Sequence, residues 1–471
     1  MTLATIDRYD PDRVSTVGER AVVVGGSIAG LCMARVLADG FQEVVVLERD
    51  SLPDEPVTRD GAPQTAHPHV MLEAGRATLE DLFPGFCDAV LAKGGLRVDT
   101  SVDMREYNGG GYLAHPEQSF LTYCASRPLF ESVVRQQAQT VDGIILRDNH
   151  QFLDYLTTDD GETVTGVRFR DETNEKSTLS ADLVVDATGR TSRTPAWLSD
   201  HGYDAPSVDE VSIDVVYSTV RIERPPDDRQ MILIPPDAPR TRGGALVPAE
   251  DGRWEVILQG IHGDDPPAEA DQLIEFADSL PVSDIADRLR SQRWVDDGIQ
   301  RYPYPASRRR RYELLEEFPD GLVVTGDAIA SFNPIYGQGM SVSALDAVLL
   351  HHTLANGGLV DLAPRFFDRV ADLIDNVWKI AVGSDFEFPQ TTGPKPRGTV
   401  LANWYMTRLI ERAHSDPVLS KAFARVTRLE EPATTLLRPY FWWRTFRPLG
   451  DSGPLSSFVD RMEDTVPFAE K

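Results

Sequence analysis

The stretch GLVVTGDAIASFNPIYGQGMSVSAL, residues Gly321 to Leu345, decides how the rest of this chain is interpreted. An apolar run at 322–324 predicts a short strand, followed by Gly326-Asp327, a loop with Pro334, and Gly337-Gln338-Gly339 before a helix start rich in small residues. A helix N-terminus preceded by glycines offers free backbone N–H groups and a positive dipole end to an electron-rich ligand. We therefore predict a ligand-binding edge in this stretch.

A related motif lies near the N-terminus. The segment Arg20–Val24 predicts a strand, Gly25-Gly26-Ser27-Ile28-Ala29-Gly30 a phosphate turn that opens a helix, and Val44–Leu47 a second strand that ends at Glu48-Arg49. In such a βαβ unit the first glycine permits the tight turn, the last lets helix and strand approach, and the acid accepts hydrogen bonds from ribose hydroxyls. Serine replaces the middle glycine of G-x-G-x-x-G, and its hydroxyl can donate to a phosphate. The two motifs together predict one site built from two distant segments.

Arg59 follows Glu48 by eleven positions, and Gln64 comes soon after it. This spacing places Arg59 near a diphosphate, which a guanidinium fork binds in two places. The alternative for Arg59 is a solvated loop charge. His67 and His69 are interpreted as loop or substrate-side residues and not as metal ligands, because no third ligand accompanies them, so no metal site is predicted.

Composition limits the functional classes. The 471 residues are 41% apolar and 26% charged, as in a soluble globular protein of two or three domains. The formal charge of -27, from 74 acidic against 47 basic residues, disfavours nucleic acid as a partner. The acidic excess and the preference for arginine over lysine resemble the composition of halophile proteins, although a GC-rich genome also explains the arginine preference. Cys32, Cys87 and Cys124 have no paired spacing. With no predicted signal peptide or transmembrane segment, we expect a cytoplasmic protein.

The pattern of elements predicts an α/β fold. A Rossmann-like domain with a parallel sheet (18–195 and 300–355) carries an inserted antiparallel-sheet substrate domain (196–299), followed by a helical C-terminal region (356–471). Within the first domain, 144–152 is predicted as one strand. The arginines at 308–311 predict either a contact with a nicotinamide-cofactor phosphate or, as we favour, a surface strand.

Aromatic and arginine residues alternate at 438–447, near the C-terminus. Such a pattern is found in helices that lie on a membrane surface. Because the flanks are not strongly basic, we favour packing against the body of the protein, and peripheral membrane contact stays open as the alternative.

Three motifs in this order resemble the single-component FAD-dependent monooxygenases of the para-hydroxybenzoate hydroxylase class, and most closely their bacterial polyene epoxidase-like branch. Gly25–Gly30 with Glu48 is similar to the ADP-binding turn of that family. Asp186–Arg193 resembles its second motif, with Ala187 in place of the usual glycine, and Gly326–Gly339 resembles the third. Three ordered motifs are far more specific than one glycine fingerprint.

The resemblance implies an FAD whose adenosine end lies at the first motif and whose isoalloxazine lies at the third. It assigns Asp327 to the ribityl chain or pyrophosphate and Pro334 to the side of the isoalloxazine. The cofactor-binding residues that it implies are Gly25, Ser27, Ile28, Ala29, Gly30, Glu48, Arg49, Arg59, Gln64, Arg127, Asp327, Pro334, Gly337, Gln338, Gly339 and Met340. Tyr217, His262 and Tyr304 are available as a base, but the sequence selects none of them, so the catalytic residue stays unassigned.

The implied activity is a monooxygenase that uses NAD(P)H and O2 to hydroxylate or epoxidise a hydrophobic aromatic or polyene substrate through a flavin C4a-hydroperoxide. Two alternatives share the flavin motifs: a reductase of isoprenoid double bonds, similar to geranylgeranyl reductase, and a non-catalytic FAD-binding protein. A flavin halogenase is disfavoured because the chain has no Trp-x-Trp-x-Ile-Pro segment.

Overall fold

The structure of the chain, a computed structural model, describes residues 1–59, 61–295 and 298–447. The last part of the predicted helical region, 448–471, lies outside the described residues. The strands are β1 (Gly18–Val24), β2 (Phe41–Leu47), β3 (Leu96–Asp99), β4 (Met104–Asn108), β5 (Gly111–Tyr112), β6 (Leu121–Cys124), β7 (Ile144–Arg147), β8 (Gln151–Thr157), β9 (Val164–Arg170), β10 (Lys176–Ser180), β11 (Leu183–Asp186), β12 (Val208–Glu223), β13 (Met231–Ile234), β14 (Arg242–Ala249), β15 (Arg253–Ile261), β16 (Gln300–Arg310), β17 (Leu322–Val324) and β18 (Ala330–Ser331).

The helices are α1 (Ile28–Leu37), α2 (Glu73–Leu82), α3 (Phe86–Ala92), α4 (Arg127–Ala138), α5 (Thr194–Asp200), α6 (Ala270–Asp278), α7 (Asp284–Ser291), α8 (Gly339–Ala355), α9 (Leu362–Asp385), α10 (Thr399–Ala413), α11 (Pro417–Thr427) and α12 (Pro439–Phe446). Short 3-10 helices at Gly326–Ala328, Pro334–Tyr336 and Ala433–Leu437 matter for the site.

A parallel sheet of five strands, in the order β17-β11-β1-β2-β7, forms the centre of the fold. Its strands are apolar runs such as Ala21–Val24 because both faces of a parallel sheet are covered by helices. Helix α8 is buried over almost its whole length and packs against α1, α2 and α9. The predicted α/β class is confirmed.

A sheet of eight strands, in the order β18-β16-β12-β15-β14-β13-β4-β5, packs beside the parallel one. It is antiparallel except for the pairing of β13 with β4. Its strands come from 104–112, 208–261 and 300–331, so it includes segments on both sides of the predicted substrate domain. The proposed domain boundaries stay a prediction.

The prediction of one strand over 144–152 is wrong. Strand β7 ends at Arg147, and Asn149 adopts φ 55°, a left-handed conformation that asparagine tolerates better than most residues. The chain then leaves the parallel sheet, and β8 joins an antiparallel sheet with β9 and β10. Local apolar pattern cannot distinguish two short strands from one long strand when the turn between them has no glycine or proline.

The predicted C-terminal helices are present from α9 to α12. A separate core holds α10, α11 and α12 together around Tyr405, Leu409, Leu419 and Phe441. The three cysteines are buried and unpaired. In the described part of the chain, no helix has both the length and the apolar character that a membrane span requires.

Candidate active site

The register of the parallel sheet brings the two sequence motifs to one edge. Val24 at the end of β1 pairs with Leu47 of β2 and with Asp186 of β11, and Asp186 pairs with Val324 of β17. The residues that follow these strand ends therefore meet at the carboxyl edge of the sheet, where ligands bind in open α/β folds. Tertiary structure thus unites segments that lie three hundred positions apart.

The first glycine turn is tight enough to require glycine at two positions. Gly25 has φ 111°, and a Cβ at that position would lie 2.5 Å from the carbonyl oxygen of Ala187. A Cβ on Gly30 would lie 1.8 Å from the carbonyl oxygen of Gly25. Ser27 precedes α1 without capping it, which leaves the first-turn N–H groups of α1 without a side-chain partner. The turn therefore leaves backbone N–H groups available to an anion.

Glu48 fixes the turn from the neighbouring strand. Its carboxylate accepts hydrogen bonds from the backbone N–H of Gly26, at 2.8 Å, and from that of Asp50, at 3.0 Å. The side chain is buried and lines the cavity described below. It is therefore held as an acceptor at the position predicted for a ribose contact.

Arg59 lies behind the turn and does not line the cavity. Its guanidinium is in a close ion pair with Glu131, lies 3.3 Å from Asp50 and 3.5 Å from Glu48, and donates to the Ser27 hydroxyl at 3.0 Å. These partners occupy the fork that we predicted would bind a diphosphate. This placement favours an indirect role, in which Arg59 positions Ser27 and Glu48, and the diphosphate contact stays a prediction.

The second half of the site is the loop from β17 to α8. Gly326 and Gly337 adopt left-handed conformations at φ 61° and 65°. At the start of α8, a Cβ on Gly339 would meet no other atom within 4 Å, so this helix N-terminus faces open space. The Oε1 atom of Gln338 is buried and has no partner among the described residues. The predicted helix N-terminus is thus confirmed, with room for a ligand.

Arg127 and Asp327 lie between the two halves. Arg127 begins α4, and its buried Nε has no hydrogen-bond partner in the described part of the chain. Burial lowers the pKa of Arg127, and the negative charges of Glu131 and Asp327 act in the opposite direction. Burial raises the pKa of the Asp327 carboxyl, while the positive charges of Arg127 and Arg190 act to lower it. The pair supplies one donor and one acceptor for the middle of an elongated ligand.

One cavity of about 1320 Å³ joins both halves to the eight-stranded sheet. It exceeds the roughly 300–1,000 Å³ of a pocket for a single drug-sized ligand, so it has room for a cofactor and a substrate. The predicted cofactor-binding residues that line it are Gly25, Ser27, Ile28, Ala29, Glu48, Arg49, Gln64, Arg127, Asp327, Pro334, Gly337, Gln338, Gly339 and Met340. Gly30 and Arg59 lie behind this lining.

These features fit a dinucleotide such as FAD. Two helix N-termini with free N–H groups suit phosphate and an anionic ring edge, and glycines leave space where a Cβ would intrude. Buried polar atoms of Arg127 and Gln338 lack partners that a bound ligand could supply. The donor set matches the cofactor that the sequence predicts.

Asp186 braces the junction between the sheets. Its carboxylate accepts hydrogen bonds from the hydroxyls of Thr188, Ser192 and Thr194 at 2.5–2.6 Å. Both carboxylate oxygens are thus held by hydroxyls of the same motif.

The arginine run at 308–311 is occupied by internal partners. Arg308 pairs with Glu210, Arg309 is buried against Glu313 at 2.8 Å, and Arg310 donates to backbone carbonyls. These contacts favour the predicted strand over a phosphate contact, but the predicted surface position is wrong for Arg309 and Arg310, which are buried because internal acceptors surround them.

The far side of the cavity contains the candidate bases. Tyr217 and Tyr304 line it, whereas His262 does not. The Tyr217 hydroxyl donates to Asn333 at 3.3 Å, and the Tyr304 hydroxyl has no hydrogen-bond partner in the described structure. Burial raises the pKa of both tyrosines, so both stay protonated at neutral pH.

Sequence reasoning missed Asp385, at the end of α9. It is 2% exposed and accepts hydrogen bonds from Asn333 at 2.9 Å and from the Tyr336 hydroxyl at 3.0 Å. Burial raises its pKa to about 7, and the pKa of the cavity-lining Glu387 also rises to about 7 by burial and by the charges of Asp237 and Asp385. The signal available in the sequence is a carboxylate closing a long amphipathic helix, which by itself indicates only a helix end.

Comparisons with known proteins agree with this site. The family model described as FAD binding domain matches residues 87–357. Protein Rv3254 of Mycobacterium tuberculosis (strain ATCC 25618 / H37Rv) is 33% identical over 436 residues, which cover 88% of this chain and 90% of that protein.

Two solved structures share the fold. A flavoprotein/dehydrogenase from Cytophaga hutchinsonii has a TM-score of 0.63 at 15% identity, covering 95% of this chain and 99% of its own. The p-nitrophenol 4-monooxygenase PnpA from Pseudomonas putida DLL-E4 has a TM-score of 0.61 at 18% identity, covering 88% of this chain and 99% of its own. Since the family model matches more than half of the chain and the mycobacterial relative matches most of it, the chain belongs to the FAD binding domain family and is an FAD-dependent oxidoreductase.

Proposed function

We propose that the protein is a monooxygenase that hydroxylates or epoxidises a hydrophobic aromatic or polyene substrate with electrons from NAD(P)H. The observation that carries the proposal is the single cavity, which extends from the two cofactor half-sites to an apolar wall on the eight-stranded sheet. A substrate on that wall would lie next to the Pro334 loop. This geometry suits transfer of an atom between cofactor and substrate within one cavity.

In this proposal the chain holds FAD through residues of both motifs. Glu48 binds the adenosine ribose, the N–H groups after Gly25 bind the diphosphate, and Arg127 and Asp327 bind the centre of the cofactor. The α8 N-terminus at Gly339 stabilises negative charge at the pyrimidine edge of the flavin ring. When bound, FAD supplies the redox chemistry with O2, and the protein supplies position and exclusion of water.

The substrate side of the cavity supports a hydrophobic substrate. Side chains of β13, β14 and β15 line it, including Met231, Leu233, Val247, Ile257 and Ile261. An epoxidation needs no protein base, in keeping with the protonated state of the lining tyrosines. The overall reaction consumes NAD(P)H, a proton and O2, places one oxygen atom in the substrate and releases the other as water.

The test uses the purified protein loaded with FAD. NADH and NADPH oxidation and peroxide release are measured across phenols, polyenes and isoprenoids, and products are analysed by mass under isotopically labelled O2. A product that gains one labelled oxygen supports the proposal. A product that gains two hydrogens instead identifies an isoprenoid reductase, and a protein that binds no FAD overturns the enzyme assignment.

A further inference from the structure

An exposed apolar surface lies on the C-terminal helices. It consists of Val400, Leu401 and Trp404 on α10, Leu437 before α12, and Trp442 and Phe446 on α12. We call it the aromatic face. Trp404 is 52% exposed, Leu437 58% and Trp442 54%. Large apolar side chains exposed together, as opposed to singly, mark an interaction surface.

The three rings of the aromatic face form one cluster at the edge of the C-terminal core, where Phe446 also contacts Tyr405. The ring of Phe446 stacks on Trp404 at 5.6 Å between centroids and contacts Trp442 at 4.8 Å. The opposite sides of the same helices, with Tyr405, Leu409 and Phe441, are buried in the C-terminal core. The predicted packing of this segment against the body therefore accounts for only one side of α12.

The segment that carries the aromatic face has a positive charge balance within an acidic protein, although Arg425, Arg428 and Arg444 in it are paired with acidic side chains. Residues 395–447 contain ten Lys and Arg against four Asp and Glu, a surplus of six positive charges in a chain of net charge -27. Arg397 and Arg438 flank the face, are exposed, and form no ion pair with any described residue. The exposed guanidinium groups of Arg397 and Arg438, together with exposed tryptophans, complement an anionic lipid headgroup layer.

The cavity reaches the surface beside the aromatic face. Arg397, Gly398, Ala402 and Leu437 line the cavity and are also exposed. A protein partner bound to the aromatic face would cover this opening. A bilayer would instead supply apolar molecules to it, so the position of the opening favours a membrane over a protein.

We propose that the aromatic face binds the surface of an anionic phospholipid bilayer, with the cavity opening directed at the acyl chains. Trp404, Trp442 and Phe446 would enter the headgroup boundary while Arg397 and Arg438 contact lipid phosphates. The entry of a lipophilic substrate from the membrane rests on the proposed function. Binding to the bilayer does not depend on it.

Vesicle sedimentation of the full-length, FAD-loaded protein tests the proposal without any turnover assay. Vesicles of phosphatidylcholine are compared with vesicles of phosphatidylcholine and phosphatidylglycerol. We expect binding to the mixed vesicles and weaker binding to the neutral ones. The double variant Trp404→Ser and Trp442→Ser should lower the partition coefficient on both by roughly tenfold or more.

The double variant Arg397→Gln and Arg438→Gln should lower partition by roughly tenfold or more on the anionic vesicles only. The control variant Val102→Ser with Val360→Ser removes two apolar side chains that lie outside the aromatic face and are 71% and 73% exposed. It should bind both kinds of vesicle like the wild type. Circular dichroism and flavin content verify that each variant is folded.

Absence of wild-type binding, or equal binding by the tryptophan variant, overturns the proposal. So does a wild-type dimer that the tryptophan variant loses, since the face would then join two copies of the chain.

Discussion

The carbonyl oxygen of Gly25 occupies the space in which any side chain on Gly30 would begin: a Cβ there would lie 1.8 Å from it. This contact fixes how closely α1 approaches the end of β1, and hence how far the turn projects toward the cavity. The glycine at position 30 therefore acts through packing, without itself lining the site.

We expect Gly30→Ala to lower both stability and FAD retention. Overpacking of this kind costs about 1–3 kcal/mol, and relief requires the turn to move away from the cavity. Thermal unfolding and the flavin-to-protein absorbance ratio measure the two effects. Gly298→Ala is the matched control, because its Cβ would meet no atom closer than 3.8 Å. Equal behaviour of the two variants would contradict the packing argument.

Glu48→Gln should weaken FAD binding while the fold is kept. The carboxylate accepts from two backbone N–H groups through different oxygens, and glutamine offers only one oxygen. Loss of a hydrogen bond to a charged group costs about 1.5–3 kcal/mol, so the Kd for FAD should rise roughly tenfold or more. Flavin fluorescence titration of the apoprotein measures it. Glu43→Gln, at the opposite part of β2 and paired with Arg20, should leave the Kd unchanged.

Arg59→Ala should also reduce FAD retention, but by an indirect route. Removing the guanidinium leaves Glu48 and Asp50 without their cation and leaves Glu131 with Arg127 at 3.7 Å, and breaking a buried ion pair costs about 3–5 kcal/mol.

A double variant separates this route from direct diphosphate binding. Adding Glu131→Gln to Arg59→Ala removes one of the charges that Arg59 neutralised and should restore part of the stability and flavin content. If Arg59 bound the diphosphate directly, the second substitution would restore stability without restoring flavin content.

Asp385 should make the protein less stable as the pH rises toward neutrality. Burial raises its pKa from 3.8 to about 7, so the folded protein holds a proton over this range that the unfolded chain has lost. The stability that this proton contributes is fully present below the pKa of Asp385 in the unfolded chain. It is lost as the pH rises through the pKa of Asp385 in the folded protein. Asp385→Asn keeps the acceptor for Asn333 and Tyr336 and removes the titration.

The melting temperature of Asp385→Asn relative to wild type should therefore increase from about pH 4 to about pH 7 and then level off. Asp160→Asn is a control whose melting-temperature difference should not change between about pH 4 and about pH 7, because a hydrogen bond from Thr158 lowers the pKa of that exposed aspartate and it titrates below this range. A difference for Asp385→Asn that does not change with pH would rule out the buried titration.

The sequence by itself determined the local elements on which the two half-sites are built. Turn glycines, strand ends and helix starts are local: Gly25, Glu48 and Gly339 each have a role that follows from their neighbours in the chain, and the structure has them in the predicted elements. The parallel strands were equally predictable, because burial on both faces demands continuous apolar runs.

Only the tertiary structure decided which groups face the cavity. Arg59 was predicted to be a ligand contact, yet its guanidinium turns to Glu131, which is seventy-two positions away. Asp385 acquires its raised pKa from burial beside Asn333, and the aromatic face exists because α10 and α12 bury one side and expose the other. Charge pairing, desolvation and exposure depend on distances between remote residues, and local sequence pattern does not contain those distances.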